Sequence, residues 1–128
     1  MKFAALAAVL AALPALGQET PTVEPPVGVA LAEGALVRGL DKVTGQTMDF
    51  ELDQGESARL GRITITAGEC RYPADDPSSN AFAWLTILDD AATEPVFQGW
   101  MIAAAPALNA LDHVRYDVWL IRCSIPEG

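Results

Sequence analysis

The sequence is poor in the residues from which most catalytic and metal sites are built. Its 128 residues include one histidine and two cysteines. A single histidine cannot form a histidine-rich zinc or copper site, and neither GxSxG nor a glycine-rich phosphate loop occurs. Lysine and arginine total 8 against 17 acidic residues, a net charge of −9. Because phosphate contacts need clustered basic side chains, we expect no nucleic-acid partner, and we expect no metal and no cofactor.

Long apolar segments are also scarce. The one clear run covers residues 3–16 and follows Lys2, but a membrane-spanning helix needs about 20 apolar residues. A positive start, a short apolar run and small residues at Ala15 and Gly17 are typical of a cleaved signal peptide. We therefore predict a signal peptide over residues 1–17, export to the bacterial periplasm, and no transmembrane span in the mature chain.

The next segment, residues 18–34, is rich in proline and glutamate and shows little hydrophobic periodicity. Such a composition buries too little apolar surface to offset the entropy of ordering. We predict an acidic, proline-rich linker here and a single β domain over residues 35–125.

From residue 35 onward, apolar and polar residues alternate in short runs bounded by turn residues. This period of two indicates half-buried strands. The run 80–88 is apolar on both faces, which predicts a central strand covered on both sides. Pro106 suits the first turn of a short helix near residues 106–111. The fold class is therefore all-β, a small antiparallel β-sandwich or barrel of about seven strands: 35–41, 46–52, 57–60, 62–67, 80–88, 96–103 and 114–125.

The two cysteines of an exported chain favour one disulfide, between Cys70 and Cys123. It would close a long loop, which is worth roughly 4 kcal/mol in the chain-entropy model. The alternative is a redox or metal-binding pair, although such pairs usually have CxxC spacing. We expect the structural disulfide.

The stretch Gly99–Cys123 holds two of the three tryptophans, the single histidine and one cysteine. Its two ends have the pattern of core strands, whereas Ala104–His113 between them is less regular. Aromatic residues and methionine are enriched at partner-binding surfaces. Ala104–His113 and its flanking residues are therefore the candidate interaction surface, made of Trp100, Met101, Pro106, Asn109, Asp112, His113 and Tyr116.

Several motifs resemble the DUF2155 family of small exported proteins, found mostly in alphaproteobacteria. They are LDKVTGQ at Leu40–Gln46, the cysteine at 70, NAFAWLTI at Asn80–Ile87, and a specific C-terminal pattern across Gly99–Cys123. The resemblance covers residues 35–123 and implies export and one compact domain, with no assigned activity. Val114 departs from the family, which usually has proline there, and alanines 103–105 replace a serine-containing stretch.

No nucleophile, metal set or cofactor loop accompanies these features. We expect a non-catalytic binding or accessory module for an envelope protein or complex. One alternative is a hydrolase-like enzyme that uses His113 with Asp112 or Asp117, since a His–Asp pair forms half of a hydrolytic triad. Another is a structural protein that stabilises the envelope. The sequence does not predict the oligomeric state.

Overall fold

A computed structural model describes residues 23–125 as antiparallel strands joined by short loops. Residues 1–22 and 126–128, and with them the predicted signal peptide at 1–17, lie outside the described residues. The strands are β1 (Val29–Leu31), β2 (Gly34–Asp41), β3 (Thr47–Asp53), β4 (Ser57–Leu60), β5 (Ile63–Pro73), β6 (Phe82–Asp89), β7 (Phe97–Ile102) and β8 (Tyr116–Ser124), with a 3-10 turn at Pro106–Leu108.

The strands form two sheets. In the large sheet the order is β1-β5-β6-β7, and β4 also pairs with β5; in the small sheet the order is β3-β2-β8. Alternate residues of each strand turn inward, as for Val37 in β2, Ile65 in β5, Leu85 in β6 and Val118 in β8, all at most 2% exposed. Each such side chain contributes about 1.5–3 kcal/mol on burial. The predicted all-β sandwich is confirmed.

The linker prediction is wrong for its last residues. Val29–Leu31 pairs antiparallel with Arg71–Pro73, and the amide of Ala32 donates to the carbonyl of Cys70 at 2.8 Å. Three residues are too few to show a periodicity of two, so this strand left no signal in the sequence. It is defined by a partner strand about 40 residues further along the chain.

The long strand β5 also exceeds its predicted bounds. Pairing with β6 continues past Ala67 through a bulge and resumes at Cys70. A bulge inserts an extra residue and shifts the inward–outward alternation. It places Gly68 against Trp84, where a Cβ atom would lie 3.0 Å from the ring. The bulge returns Cys70 to the interior, where it is 0% exposed.

The prediction that strand 80–88 is covered on both sides is wrong. In β6, Ala83, Leu85 and Ile87 face the core, whereas Leu88 on the opposite face is 44% exposed. The outer face of the large sheet is covered in part by its own side chains. Trp84 and Trp100 meet edge to face with ring centroids 5.6 Å apart. The outer face of β6 is therefore apolar in sequence without being buried beneath another layer.

Two contacts join the sheets through β8. Cys123 near its end forms the predicted disulfide with Cys70 of β5, and no cysteine in the described chain is free. Tyr116 at its start is 1% exposed, and its hydroxyl accepts a hydrogen bond from the Arg62 amide at 3.1 Å. Both ends of β8 are thus fastened to the large sheet.

Across residues 23–125, no helix is both long and apolar enough to span a bilayer.

Replacing Gly61 by alanine should destabilise the fold sharply. Gly61 has φ +54°, and a Cβ atom there would lie 2.1 Å from the Tyr116 hydroxyl oxygen. The added methyl must displace a buried tyrosine, at a cost of about 1–3 kcal/mol for overpacking, in addition to the left-handed backbone cost. Urea denaturation should show a large fall in the midpoint for Gly61→Ala.

Gly45→Ala is the matched control for this effect. Gly45 also has a positive φ, +78°, but its Cβ would meet nothing within 4 Å. Only the backbone cost of about 1–2 kcal/mol applies there. Equal losses of stability in the two variants would contradict the role assigned to the Gly61–Tyr116 contact.

Candidate functional site

The connecting segment, residues 103–115, links the edge strand of the large sheet to the edge strand of the small sheet. Its first part is fastened by Asn80, whose Oδ1 accepts hydrogen bonds from the amides of Ala81 and Ala104 at 2.8 and 3.0 Å. The Ala103 amide donates to the Ala81 carbonyl at 2.9 Å. The segment therefore starts from a defined position beside β6.

The middle of the connecting segment folds back over β7. Asn109 Nδ2 donates to the Trp100 carbonyl at 2.9 Å. A Cβ at Gly99 would lie 2.9 Å from that nitrogen, so any larger residue there would have to displace the Asn109 amide. Leu111, 7% exposed, fills the core beneath. A glycine within a strand often marks such a close approach, and at Gly99 the approaching group is the Asn109 side chain.

The end of the connecting segment is organised by His113. Its Nε2 lies 2.6 Å from Asp89 Oδ2, and the two side chains are only 9% and 11% exposed. Its Nδ1 accepts hydrogen bonds from the backbone amides of Arg115 and Tyr116 at 3.0 and 3.2 Å. Since backbone amides can only donate, the hydrogen-bond network assigns the ring proton to Nε2.

The partner carboxylate is ionised at neutral pH. The Ala91 amide and then the His113 ring donate to Asp89 and lower the pKa of its carboxyl, against the opposing effect of burial. Beside it, Lys42 Nζ donates to the His113 carbonyl, and Arg115 pairs with Asp41 at 3.1 Å. These contacts hold the start of β8 against the turn that follows β2.

The pairing of His113 with Asp112 or Asp117, on which the hydrolase-like alternative rests, does not occur in the structure. Asp112 is exposed, and Asp117 accepts a hydrogen bond at 3.0 Å from the amide of its neighbour Val118. The carboxylate that meets His113 is instead Asp89, 24 residues earlier. Sequence adjacency suggested the wrong partner because strands separated in sequence meet in the sandwich. Both ring nitrogens are occupied, so His113 holds backbone in place and has no free lone pair for a substrate proton.

The candidate interaction residues do not form one surface. Met101 and Tyr116 are 2% and 1% exposed, so their assignment to a surface is wrong; strand alternation turns both into the core. Trp100 lies on the outer face of the large sheet beneath the Arg71 guanidinium, 5.4 Å from its ring centroid. Asn109 is half-buried and hydrogen-bonded to the Trp100 carbonyl, whereas Pro106 and Asp112 are exposed.

The surface near the connecting segment contains two depressions lined in part by β8, which we call together the β8 groove. One, of about 340 Å³, is lined by Pro106, Ala107 and Ala110 on one side and Asp117–Trp119 on the other. The second, of about 460 Å³, is lined by Pro77, Ser78, Ser79, Asn80, Ala103, Ala104, Ile121, Arg122, Cys123 and Ile125. Of the candidate surface residues, only Pro106 lines this groove.

The β8 groove is mainly apolar with one charge of each sign. Asp117 lies in the smaller depression and Arg122 in the larger one. The side of the groove formed by the connecting segment is lined by alanines, whose small side chains project little into it. Within residues 23–125, no three His, Cys, Asp or Glu side chains gather in a metal-binding arrangement. The arrangement suits the docking of a chain with apolar side chains.

Most residues of the groove carry no recognisable signal in the sequence. Ile121 and Arg122 line it because β8 bulges where its register with β2 shifts between Leu36 and Val37. Asn80 lies in the loop before β6 and holds the start of the connecting segment, which forms the opposite side of the groove. No periodic signal marks a bulge or a loop amide. The three consecutive alanines at 103–105 are the one local sequence feature that indicates small side chains along this side of the groove.

The fold and the groove define a small, disulfide-linked antiparallel β-sandwich with an open sheet edge. Residues 35–123 match the DUF2155 family, described as an uncharacterized protein conserved in bacteria, and the chain belongs to this family. The resemblance drawn from the motifs is thereby confirmed.

A relative of similar sequence is the uncharacterized protein RP359 of Rickettsia prowazekii (strain Madrid E). It is 26% identical over 87 residues, which are 66% of this chain and 56% of the relative. The match thus spans little more than half the length of this curated relative. No solved structure matches the chain at a significant level.

Replacing His113 should weaken folding through the backbone it holds. His113→Ala leaves two amides without their acceptor, a loss of about 1–3 kcal/mol in the free energy of unfolding. His113→Asn keeps an oxygen near the Nδ1 position and should retain more stability than the alanine variant. Asp112→Ala, at the exposed neighbour, should change stability by less than about 0.5 kcal/mol. Urea denaturation measures all three.

The ring proton provides an independent check. Long-range ¹H–¹⁵N correlation spectra of the wild-type protein should show the Nε2–H tautomer of His113. A proton on Nδ1 would contradict the assignment, because that nitrogen could not then accept from the two amides.

Proposed function

We propose that this protein is a non-catalytic binding or accessory module of the bacterial envelope, and that the β8 groove receives its partner. The observation that carries the proposal is the groove itself, two mainly apolar depressions that are each lined by residues of β8 and of the connecting segment. Apolar surface beside polar residues is where soluble proteins bind partners. The groove also borders Ala104–His113, the stretch that the sequence singles out.

The state of His113 favours binding over hydrolysis. A general base needs a free nitrogen within hydrogen-bond reach of a substrate proton. Here Nδ1 accepts two backbone hydrogen bonds and Nε2 faces Asp89. The hydrolase-like alternative would require a substrate to displace contacts that hold the start of β8. It predicts loss of activity on a substrate panel for His113→Asn under conditions where that variant remains folded.

The buried cysteine pair supports export. Disulfides form and persist in the periplasm and other oxidising compartments, and Cys70 and Cys123 are bonded. The basic start and apolar run at the N-terminus are typical of a signal peptide. A periplasmic location places the groove among envelope proteins, which are the partners proposed for it. A purely structural role in the envelope is the remaining alternative and requires no partner at the groove.

Export is tested by fractionating the bacterium that expresses the full chain with a C-terminal tag. We expect the protein in the periplasm, starting at Gln18, with both thiols unreactive until they are reduced. Leu10→Arg is the control, because a charge in the apolar run blocks export and leaves both thiols reactive. Wild-type protein in the cytoplasm with two alkylatable thiols would contradict the proposal.

Partner binding is tested by photo-crosslinking in living cells. A photoreactive phenylalanine derivative at Ala107, inside the groove, should give a discrete adduct with an envelope protein. The same residue at Ala92, exposed in the loop between β6 and β7, should not give that adduct. Absence of any adduct from Ala107 and from Ala104 would favour the purely structural alternative.

A further inference from the structure

The smaller depression of the β8 groove combines an indole ring with a carboxylate. Asp117 and Trp119 both line it, and they lie two residues apart in β8. Their neighbours Tyr116, Val118 and Leu120 are at most 2% exposed, so strand alternation turns Asp117 and Trp119 together toward the outer face. Two residues of a strand span about 7 Å. One ligand group can therefore contact both side chains.

The rest of the lining is apolar. Pro106, Ala107 and Ala110 form the side contributed by the connecting segment, and Val118 completes the set. Among the described residues, no basic side chain lines this depression. A carboxylate bordered by apolar groups is less screened by water than one on an open surface, so it attracts a cation more strongly.

The Asp117 carboxylate keeps most of its capacity to accept hydrogen bonds. One oxygen, Oδ1, accepts from the Val118 amide at 3.0 Å, whereas an ionised carboxylate offers about four acceptor positions. No basic side chain within residues 23–125 forms an ion pair with it. Arg38, the cross-strand neighbour of Trp119, donates instead to both carboxylate oxygens of Asp49, at 2.7 and 3.1 Å.

The indole of Trp119 also lacks a cation from the described chain. Two rings within residues 23–125 lie beneath a guanidinium, Trp100 under Arg71 and Tyr116 under Arg115, with distances to the ring centroid of 5.4 and 5.3 Å. Tryptophan is the aromatic side chain that attracts cations best. Trp119 therefore offers, next to a carboxylate, a contact that the other two rings make within the chain.

The charge of the whole molecule favours the same kind of ligand. The net charge is −9, and an acidic protein attracts cationic partners over distances longer than a direct contact. The depression has a volume of about 340 Å³, near the lower limit of about 300 Å³ for sites that enclose a whole small ligand. A single side chain attached to a partner fits it better than a larger free molecule.

We propose that the smaller depression receives a basic side chain of the partner, with its apolar stem against Pro106 and Ala107 and its cationic head against Asp117 and Trp119. This inference rests on the proposed binding function and specifies the chemistry of the partner's contact residue. The carboxylate supplies a charged hydrogen bond, and the indole supplies a cation–π contact.

The probe is n-butylammonium, which has the atoms of a lysine side chain, titrated into the disulfide-bonded ¹⁵N-labelled protein. We expect saturable shifts of the Trp119 indole N–H and the Val118 amide in ¹H–¹⁵N spectra. Butan-1-ol and pentanoate, of similar length but without positive charge, should bind about tenfold more weakly. No shift with butylammonium, or equal binding of butanol, would overturn the proposal.

Two substitutions separate the carboxylate from the ring. Asp117→Asn keeps an oxygen for the Val118 amide but removes the charge, and should weaken butylammonium binding by about fivefold or more. Trp119→Phe should weaken it less than Trp119→Leu, because phenylalanine keeps an aromatic face. Asp112→Asn, at an exposed carboxylate outside the lining, is the matched control. Equal weakening by Asp112→Asn and Asp117→Asn would show general charge attraction and contradict the site.

The crosslinking experiment separates this proposal from the function on which it rests. If a partner supplies the basic side chain, Asp117→Asn should reduce the adduct formed from Ala107, whereas Asp112→Asn should not. An adduct that Asp117→Asn leaves unchanged would overturn the proposal while the binding module stands; if butylammonium still binds, the site takes a free cation. Absence of any adduct removes the binding function itself.

Discussion

The two sheets of this protein are joined at both ends of β8. At its start, Tyr116 reaches across the core and accepts a hydrogen bond from the amide after Gly61, which has no side chain to block the approach. Near its end, Cys123 is bonded to Cys70. β8 is an edge strand of the small sheet, so without these contacts only its pairing with β2 and its apolar inner face would hold it.

The connecting segment also holds β8 in position. His113 accepts hydrogen bonds from the backbone amides of Arg115 and Tyr116, at the start of β8, and donates one to Asp89 on the large sheet. One ring therefore links the end of the segment to both sheets. Its low exposure makes these hydrogen bonds costly to lose. The ionisable pair that most resembles catalytic machinery therefore acts as a cap for a strand. A His–Asp pair is evidence for catalysis only when a ring nitrogen remains free for a substrate.

Fastening β8 in this way leaves its other edge uncovered. The segment fixed by Asn80 and Asn109 stands apart from the strand, and small alanine side chains line the gap. Natural proteins usually protect such an edge with charge, bulges or a covering loop. Here Asp117 occupies one edge amide and a bulge lies near Ile121, while the space in front of the strand remains open. This combination makes the groove a suitable place for a partner to bind and connects the fold to the function proposed.

The sequence by itself determined the all-β class, most strands, the pairing of Cys70 with Cys123 and membership of the family, because alternation and cysteine number are local or countable properties. It also singled out Ala104–His113 as the candidate interaction segment, which stays a prediction. Only the tertiary structure decided that Met101 and Tyr116 are core, that Asp89 is the partner of His113, and that residues 29–31 form a strand. Each of these depends on which distant segments meet. Register, bulges and sheet edges arise from long-range pairing, and a local pattern of residues carries no information on them.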